Sequence, residues 1–166
     1  MKNLYCPWRQ SYSDDTSATR QQKASAQECV FCIQFALNQD KQHFILKRYA
    51  HNVVILNKYP YNAGHLLVIP LNHVSDLDQL STAARQELME LTNQCTVLLR
   101  NQLQAQGINV GMNLGHIGGA GIPSHIHMHV IPRYDRDTNF LATVAQTKVI
   151  SYDLHKIFAT LKSAFQ

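Results

Sequence analysis

A chain of 166 residues with 45% hydrophobic and 16% charged side chains suits one folded domain with an ordinary core and excludes a disordered polymer. Its formal charge of +4 comes from scattered Lys and Arg, which favours phosphate-bearing small molecules over nucleic acid, where a basic stripe would be needed. Four cysteines (Cys6, Cys29, Cys32, Cys95) are too sparse for a disulfide-stapled secreted scaffold. No apolar segment follows Met1-Lys2-Asn3-Leu4-Tyr5 and no run is long enough to span a bilayer, so a cytoplasmic protein without membrane contact is expected.

Residues 10–28 are rich in Ser, Gln, Asp and Thr and read as a partly irregular connector, giving an N-terminal segment over 1–28 before a single domain over 29–166. A short helix is expected from Cys29 to before Asn38. Strands are expected over His43–Ala50, Asn52–Leu56 and His65–Leu71, because β-branched and apolar residues alternate with turn residues such as those from Asn57 to Gly64. Ser81 then stands where an N-cap belongs, and Leu88, Leu91, Cys95, Leu98, Leu99 and Leu103 recur at helical spacing up to Gln106, with Gly107 placed as the residue that ends the helix. Further strands are expected over Ile108–Leu114 and His125–Pro132. A helix with one apolar stripe must lie on a sheet, so the fold class is α+β, an antiparallel meander with a long helix packed over it.

The last strand carries the chemistry. In Ser124-His125-Ile126-His127-Met128-His129-Val130 the histidines fall at alternate positions, so an extended chain puts all three on one face and Ile126, Met128 and Val130 on the other. Unpaired imidazoles in a core would carry a desolvation cost, so the array calls for a function. The loop before it, from Gly115 to Pro123, holds four glycines, and backbone amides in such a loop can approach an anion closely.

His125-Ile126-His127-Met128-His129-Val130-Ile131 resembles the His-φ-His-φ-His-φ-φ signature (φ apolar) of the histidine-triad nucleotide hydrolases and transferases. The segments Leu56–His65, Pro70–Leu77 and Gly111–Gly115 are similar to that family as well, and Leu4–Arg9 with Asp137–Phe140 resemble a bacterial branch related to diadenosine polyphosphate phosphorylases. The resemblance implies that His127 is a nucleophile attacking the α-phosphorus of a dinucleoside polyphosphate, that His129 and His65 contact phosphate, and that His125 orients the nucleophile or the leaving group. It implies substrate contacts at Asn57, Asn113, Gly119, Gly121, Ser124 and His116.

A Cys-x-x-Cys pair can hold zinc through two thiolates. By the same resemblance Cys29, Cys32, His73 and His125 would form a structural zinc site, with His51 in reserve as a ligand, and the chain would be a homodimer without an organic cofactor. Two other readings stay open. One is a zinc-dependent hydrolase in which the triad itself holds the metal; the other is a catalytically weak nucleotide-binding module.

Overall fold

The computed structural model describes residues 25–135, 137 and 152–165. The motif segments 4–9 and 138–140, Cys6, and most of the polar connector lie outside the described residues. Helix α1 covers Val30–Ala36, strand β1 Ile45–Arg48, β2 Asn52–Leu56 and β3 Leu66–Pro70; a 3-10 turn at Leu77–Gln79 leads into α2 at Thr82–Leu103, followed by β4 at Gly107–Gly111, β5 at Met128–Arg133 and α3 at Leu154–Ala164. The strands form one antiparallel sheet in the order β1-β2-β3-β5-β4.

β2 and β3 are buried at every position, which is why they read as unbroken apolar runs: alternate side chains feed two covered faces. On one face Leu46, Val54, Leu56, Leu66, Val68 and Val130 pack on Leu88, Leu91, Cys95 and Leu99 of α2 and on Ile157, Phe158 and Leu161 of α3. On the other, Ile45, Val53, Ile55, Leu67 and Ile69 pack on Cys29, Phe31 and Phe35 of the α1 region and on Ile122. Among the described residues a short helix and Ile122 cover that second face, and His129 projects onto it opposite Leu67 in the ladder.

Several boundaries differ from the sequence expectation, each for a local reason. Ser81 does cap α2, accepting the Ala84 N–H at 3.1 Å. The helix stops at Leu103, however; Gln104 takes the left-handed conformation at φ 53°, and Gly107 opens β4 instead of closing the helix. That early stop lets the Gln106 N–H donate to the Arg133 carbonyl and start the β4–β5 pairing, which runs only to Gly111. β1 begins at Ile45 because Phe44 has φ 56°, a break in the extended chain. β5 begins at Met128, since Ile126 donates its N–H to Val74 at 2.7 Å outside the ladder. Helix α3 has no counterpart in the sequence reading, although Leu154, Ile157, Phe158 and Leu161 follow the Asp153 N-cap at helical spacing. Its Lys162 Nζ donates to the Ile45 and Leu46 carbonyls at 3.2 and 2.5 Å, occupying acceptors near the edge of the sheet.

Candidate active site

A cavity of about 610 Å³ opens on the second face of the sheet. Val30, Phe31 and Ile33 of α1 wall it with Ile55 and Leu67 of the sheet; Asn57, Tyr59 and Tyr61 come from the β2–β3 turn, Gly119 and Gly121 from the glycine loop, and His127 and His129 close it. Glu28, Gln34, Gln42, His43 and Lys58 line it as well, so the wall mixes apolar side chains with imidazoles and other polar groups. A cavity of this size and mixed lining suits a ligand with both a flat apolar part and a charged part, as a nucleotide has.

Four backbone groups decide what each histidine can do. The His127 Nδ1–H donates to the His125 carbonyl at 2.9 Å, so the lone pair of this ring sits on Nε2. Burial holds the His127 pKa below the ordinary imidazole value, against the opposing pull of that carbonyl, and the ring stays neutral at pH 7. A neutral imidazole with its second nitrogen pinned is a competent nucleophile.

His65 and His129 form a relay. The Tyr59 N–H donates to Asn57 Oδ1 at 2.9 Å, which turns the Asn57 Nδ2 toward His65 Nδ1 at 3.2 Å; the Tyr61 N–H donates to the same Nδ1 at 3.1 Å. His65 Nδ1 is thus an acceptor, its proton lies on Nε2, and it donates to His129 Nδ1 at 3.0 Å. His129 in turn keeps its proton on Nε2, as a donor on a ring that lines the cavity. The turn supplying these groups is tied down by Asn62, whose Nδ2 donates to the Pro132 carbonyl at 2.9 Å and to Asp137 at 2.8 Å.

His125 faces the other way. Its Nε2–H donates to the Pro70 carbonyl at 2.9 Å, leaving the Nδ1 lone pair 3.3 Å from Cys29 Sγ, 3.5 Å from Cys32 Sγ and 3.3 Å from His73 Nδ1. Cys32 Sγ lies 3.4 Å from His73 Nδ1, and the four ligand atoms all fall within 4.8 Å of one another. Zinc bonds of about 2.0–2.3 Å in a tetrahedron would put neighbouring N and S ligands roughly 3.3–3.8 Å apart, so the cluster fits zinc in both donor type and spacing. Burial, helped by the adjacent His73 and His127, lowers the His125 pKa to about 4 even though the Pro70 hydrogen bond opposes it. Burial and then the neighbouring Cys29 push the Cys32 thiol up to about 12, so a metal must displace its proton. When bound, zinc supplies a closed structural cross-link between α1, the segment after β3 and the triad.

Among the described residues this is the one group with metal-holding geometry; His51 is exposed and lies apart from it. His127 and His129 are not members, so the three triad imidazoles do not share a single metal point. Other sequence candidates take supporting positions. His65 is fully buried behind His129, and the His125 ring belongs to the cysteine cluster, contributing to His127 only its carbonyl. Asn113 donates to the Gly119 carbonyl at 3.3 Å and braces the glycine loop. His116 is exposed and does not line the cavity, its carbonyl accepting the Gly119 N–H. Ser124 is buried without lining it. Of the wall residues that escaped sequence reasoning, two aromatics meet the triad histidines directly. Tyr61 stacks on His129 with ring centroids 5.7 Å apart, and Phe31 meets both His125 and His127 edge-on at 5.5 and 5.3 Å. Nothing in their local pattern separates them from ordinary aromatics; only the fold brings them to the histidines.

The HIT domain family model matches residues 38–136. A mycobacterial protein, the AP-4-A phosphorylase of Mycobacterium tuberculosis, is 32% identical over 163 residues, covering 96% of this chain and 84% of that protein. This chain belongs to the HIT family. Its HIT fold is shared with a Zn-bound histidine triad family protein from Mycobacterium smegmatis, at a TM-score of 0.69 and 24% identity over 85% of this chain and 95% of that one. A HIT family member from Bacillus subtilis superposes with a TM-score of 0.58 at 26% identity, over 65% of this chain and 74% of that one.

Proposed function

We propose that this HIT protein is a nucleotidyl-transferring enzyme that cleaves dinucleoside polyphosphates, of which diadenosine tetraphosphate is the type substrate, through a nucleotidyl-histidine on His127. The observation that carries the reading is the His127 Nδ1–H bond to the His125 carbonyl, which leaves Nε2 as a neutral nucleophile on a ring lining a nucleotide-sized cavity. Nε2 attacks the α-phosphorus; a P–N bond forms, the P–O bond to the leaving nucleoside polyphosphate breaks, and the electron pair departs with that oxygen. Inorganic phosphate or water then attacks the same phosphorus and the P–N bond breaks. The His129 Nε2–H, oriented through His65, and the Gly119 and Gly121 region face charge developing on the phosphoryl oxygens.

The 32% identity to a protein named AP-4-A phosphorylase favours phosphate over water as acceptor. Incubation with diadenosine tetraphosphate, with and without inorganic phosphate, tests this directly by chromatography. ATP plus ADP formed only with phosphate is the expected result; ATP plus AMP without phosphate would make the enzyme a hydrolase. No turnover of any dinucleotide would reduce it to a binding module. The Cys29, Cys32, His73 and His125 cluster is proposed to hold a structural zinc, and the chain to act as a cytoplasmic homodimer through the outer edge of β4.

A further inference from the structure

The cysteine cluster and the cavity share one seven-residue helix. Cys29 is the N-cap of α1 and Cys32 lies in its first turn, while Val30, Phe31, Ile33 and Gln34, interleaved with them, wall the cavity. A helix this short does not hold itself together. No side chain caps its N-terminus. Among the described residues its other anchors include Phe31 and Phe35 in the smaller core, the Cys29 N–H donating to the Ser25 carbonyl at 3.0 Å and, at the far end, the Arg48 guanidinium donating to the Phe35 carbonyl at 2.8 Å. The position of the cavity wall therefore depends on the ligand cluster at the N-terminal end. The two thiols are unequal: Cys29 is 2% exposed, whereas Cys32 and His73 are partly open to solvent.

Resting on the metal and nucleotide readings above, we propose that the Cys29–Cys32 pair is a redox gate on nucleotide binding: oxidation of the thiols to a disulfide expels the metal and releases the helix that walls the cavity. The oxidant class is a peroxide. The Cys32 thiolate, the accessible sulfur, attacks one peroxide oxygen; an S–O bond forms, the O–O bond breaks and hydroxide leaves. The Cys29 thiolate then attacks the Cys32 sulfur, the S–S bond forms, and the S–O electron pair leaves as a second hydroxide. Two protons from solvent complete two waters. The two thiolates have lost two electrons and the peroxide has gained them, while the cation, left with two imidazoles in place of four ligands, dissociates. Phe31, which touches both His125 and His127, moves with α1, so nucleotide affinity falls first.

The experiment takes the zinc-loaded full chain, carrying Cys6→Ser and Cys95→Ser so that neither thiol outside the pair can confuse the count, and treats it with hydrogen peroxide. Four readouts follow: zinc released to a chromogenic chelator, the mass of the peptide spanning Cys29 and Cys32, AMP affinity by calorimetry, and amide hydrogen exchange. Expected are about one zinc released per chain, a loss of two hydrogens from that peptide, and AMP binding weakened tenfold or more. Faster exchange should be greatest by far at residues 29–37, and dithiothreitol with zinc should reverse every change. Zinc released and the disulfide formed with AMP affinity within twofold of the start would overturn the gate while leaving the metal reading intact. Exchange quickened as much throughout β2 and β3 as at residues 29–37 would also overturn it, because the metal would then staple the whole fold and not α1 in particular. A purified protein without zinc defeats the metal reading itself, and failure of the untreated protein to bind AMP defeats the nucleotide reading; either result removes the gate, and each is told apart by its own measurement.

Discussion

His127 differs from its neighbours in the triad by one hydrogen bond. The His125 carbonyl takes the Nδ1 proton, and burial keeps the ring neutral. Replacing it with Ala should leave AMP binding largely intact while lowering kcat by several orders of magnitude, as loss of an essential nucleophile does; a variant that keeps more than about a tenth of the rate contradicts covalent catalysis. In His127→Gly, added imidazole should restore part of the activity. The direction of the His127 shift also sets the pH profile. Because the folded ring resists protonation, kcat/KM should stay level as the pH drops through the ordinary imidazole value of about 6.5 and fall only below it. An acid limb centred at or above that value would count against His127. His125 gives a stability counterpart. Its pKa of about 4 in the fold lies below the 6.5 of the free ring, so the unfolded chain takes up the proton first. Zinc-stripped protein should keep its stability above about pH 6.5 and lose it progressively as the pH falls toward 4, measured by thermal melts across that range.

Among the elements, the β2–β3 turn does for the relay what α1 does for the cavity wall. Its backbone amides at Tyr59 and Tyr61 set the proton positions of Asn57, His65 and His129, so its shape is part of the chemistry. Gly64 is where that shape is most constrained: φ is 85°, and a Cβ there would lie 2.4 Å from Leu103 Cδ1 on α2. Gly64→Ala should therefore cost about 1–3 kcal/mol in urea unfolding, from the strained backbone and overpacking together. A midpoint unchanged from the wild type would mean that the turn and α2 yield easily at this contact.

For the molecule as a whole, the two faces of the sheet have separate tasks. α2 and α3 cover one and supply most of the core, while α1 and the cysteine cluster only partly cover the other, leaving room for substrate. Elemental analysis should find about one zinc per chain. Cys29→Ala should lower the melting temperature by many degrees yet change kcat per folded molecule at saturating nucleotide far less, because the proposed metal would hold α1 and take no part in the displacement. The other exposed feature is β4, at the edge of the sheet, with Val110 47% exposed and its sole ladder partner among the described residues in β5. A bare edge of this kind pairs readily with another chain. Sedimentation should show a dimer, and Val110→Pro, which adds a ring and removes an N–H on the edge strand, should shift it to monomer; an unaltered dimer would move the contact elsewhere.

The alternation of His125, His127 and His129, the capped amphipathic run after Ser81 and the Cys29-x-x-Cys32 spacing are local patterns. Period and side-chain chemistry therefore led to an α+β fold and a candidate metal pair, while the resemblance of the histidine run to a known family is what pointed to His127 as a nucleophile. Local patterns do not contain distances between segments far apart in the chain. His125 turned from the active face to the cysteines because the Pro70 carbonyl, 55 residues away, takes its Nε2 proton and leaves Nδ1 toward Cys29 and Cys32. His65 became the partner of His129 because β3 and β5 lie side by side in the sheet, and Phe31 became a wall of the cavity because α1 folds back across that face. The candidate residues of the site were legible in the sequence; their proton positions and neighbours came from carbonyls, amides and rings that only tertiary packing brings within 3 to 6 Å.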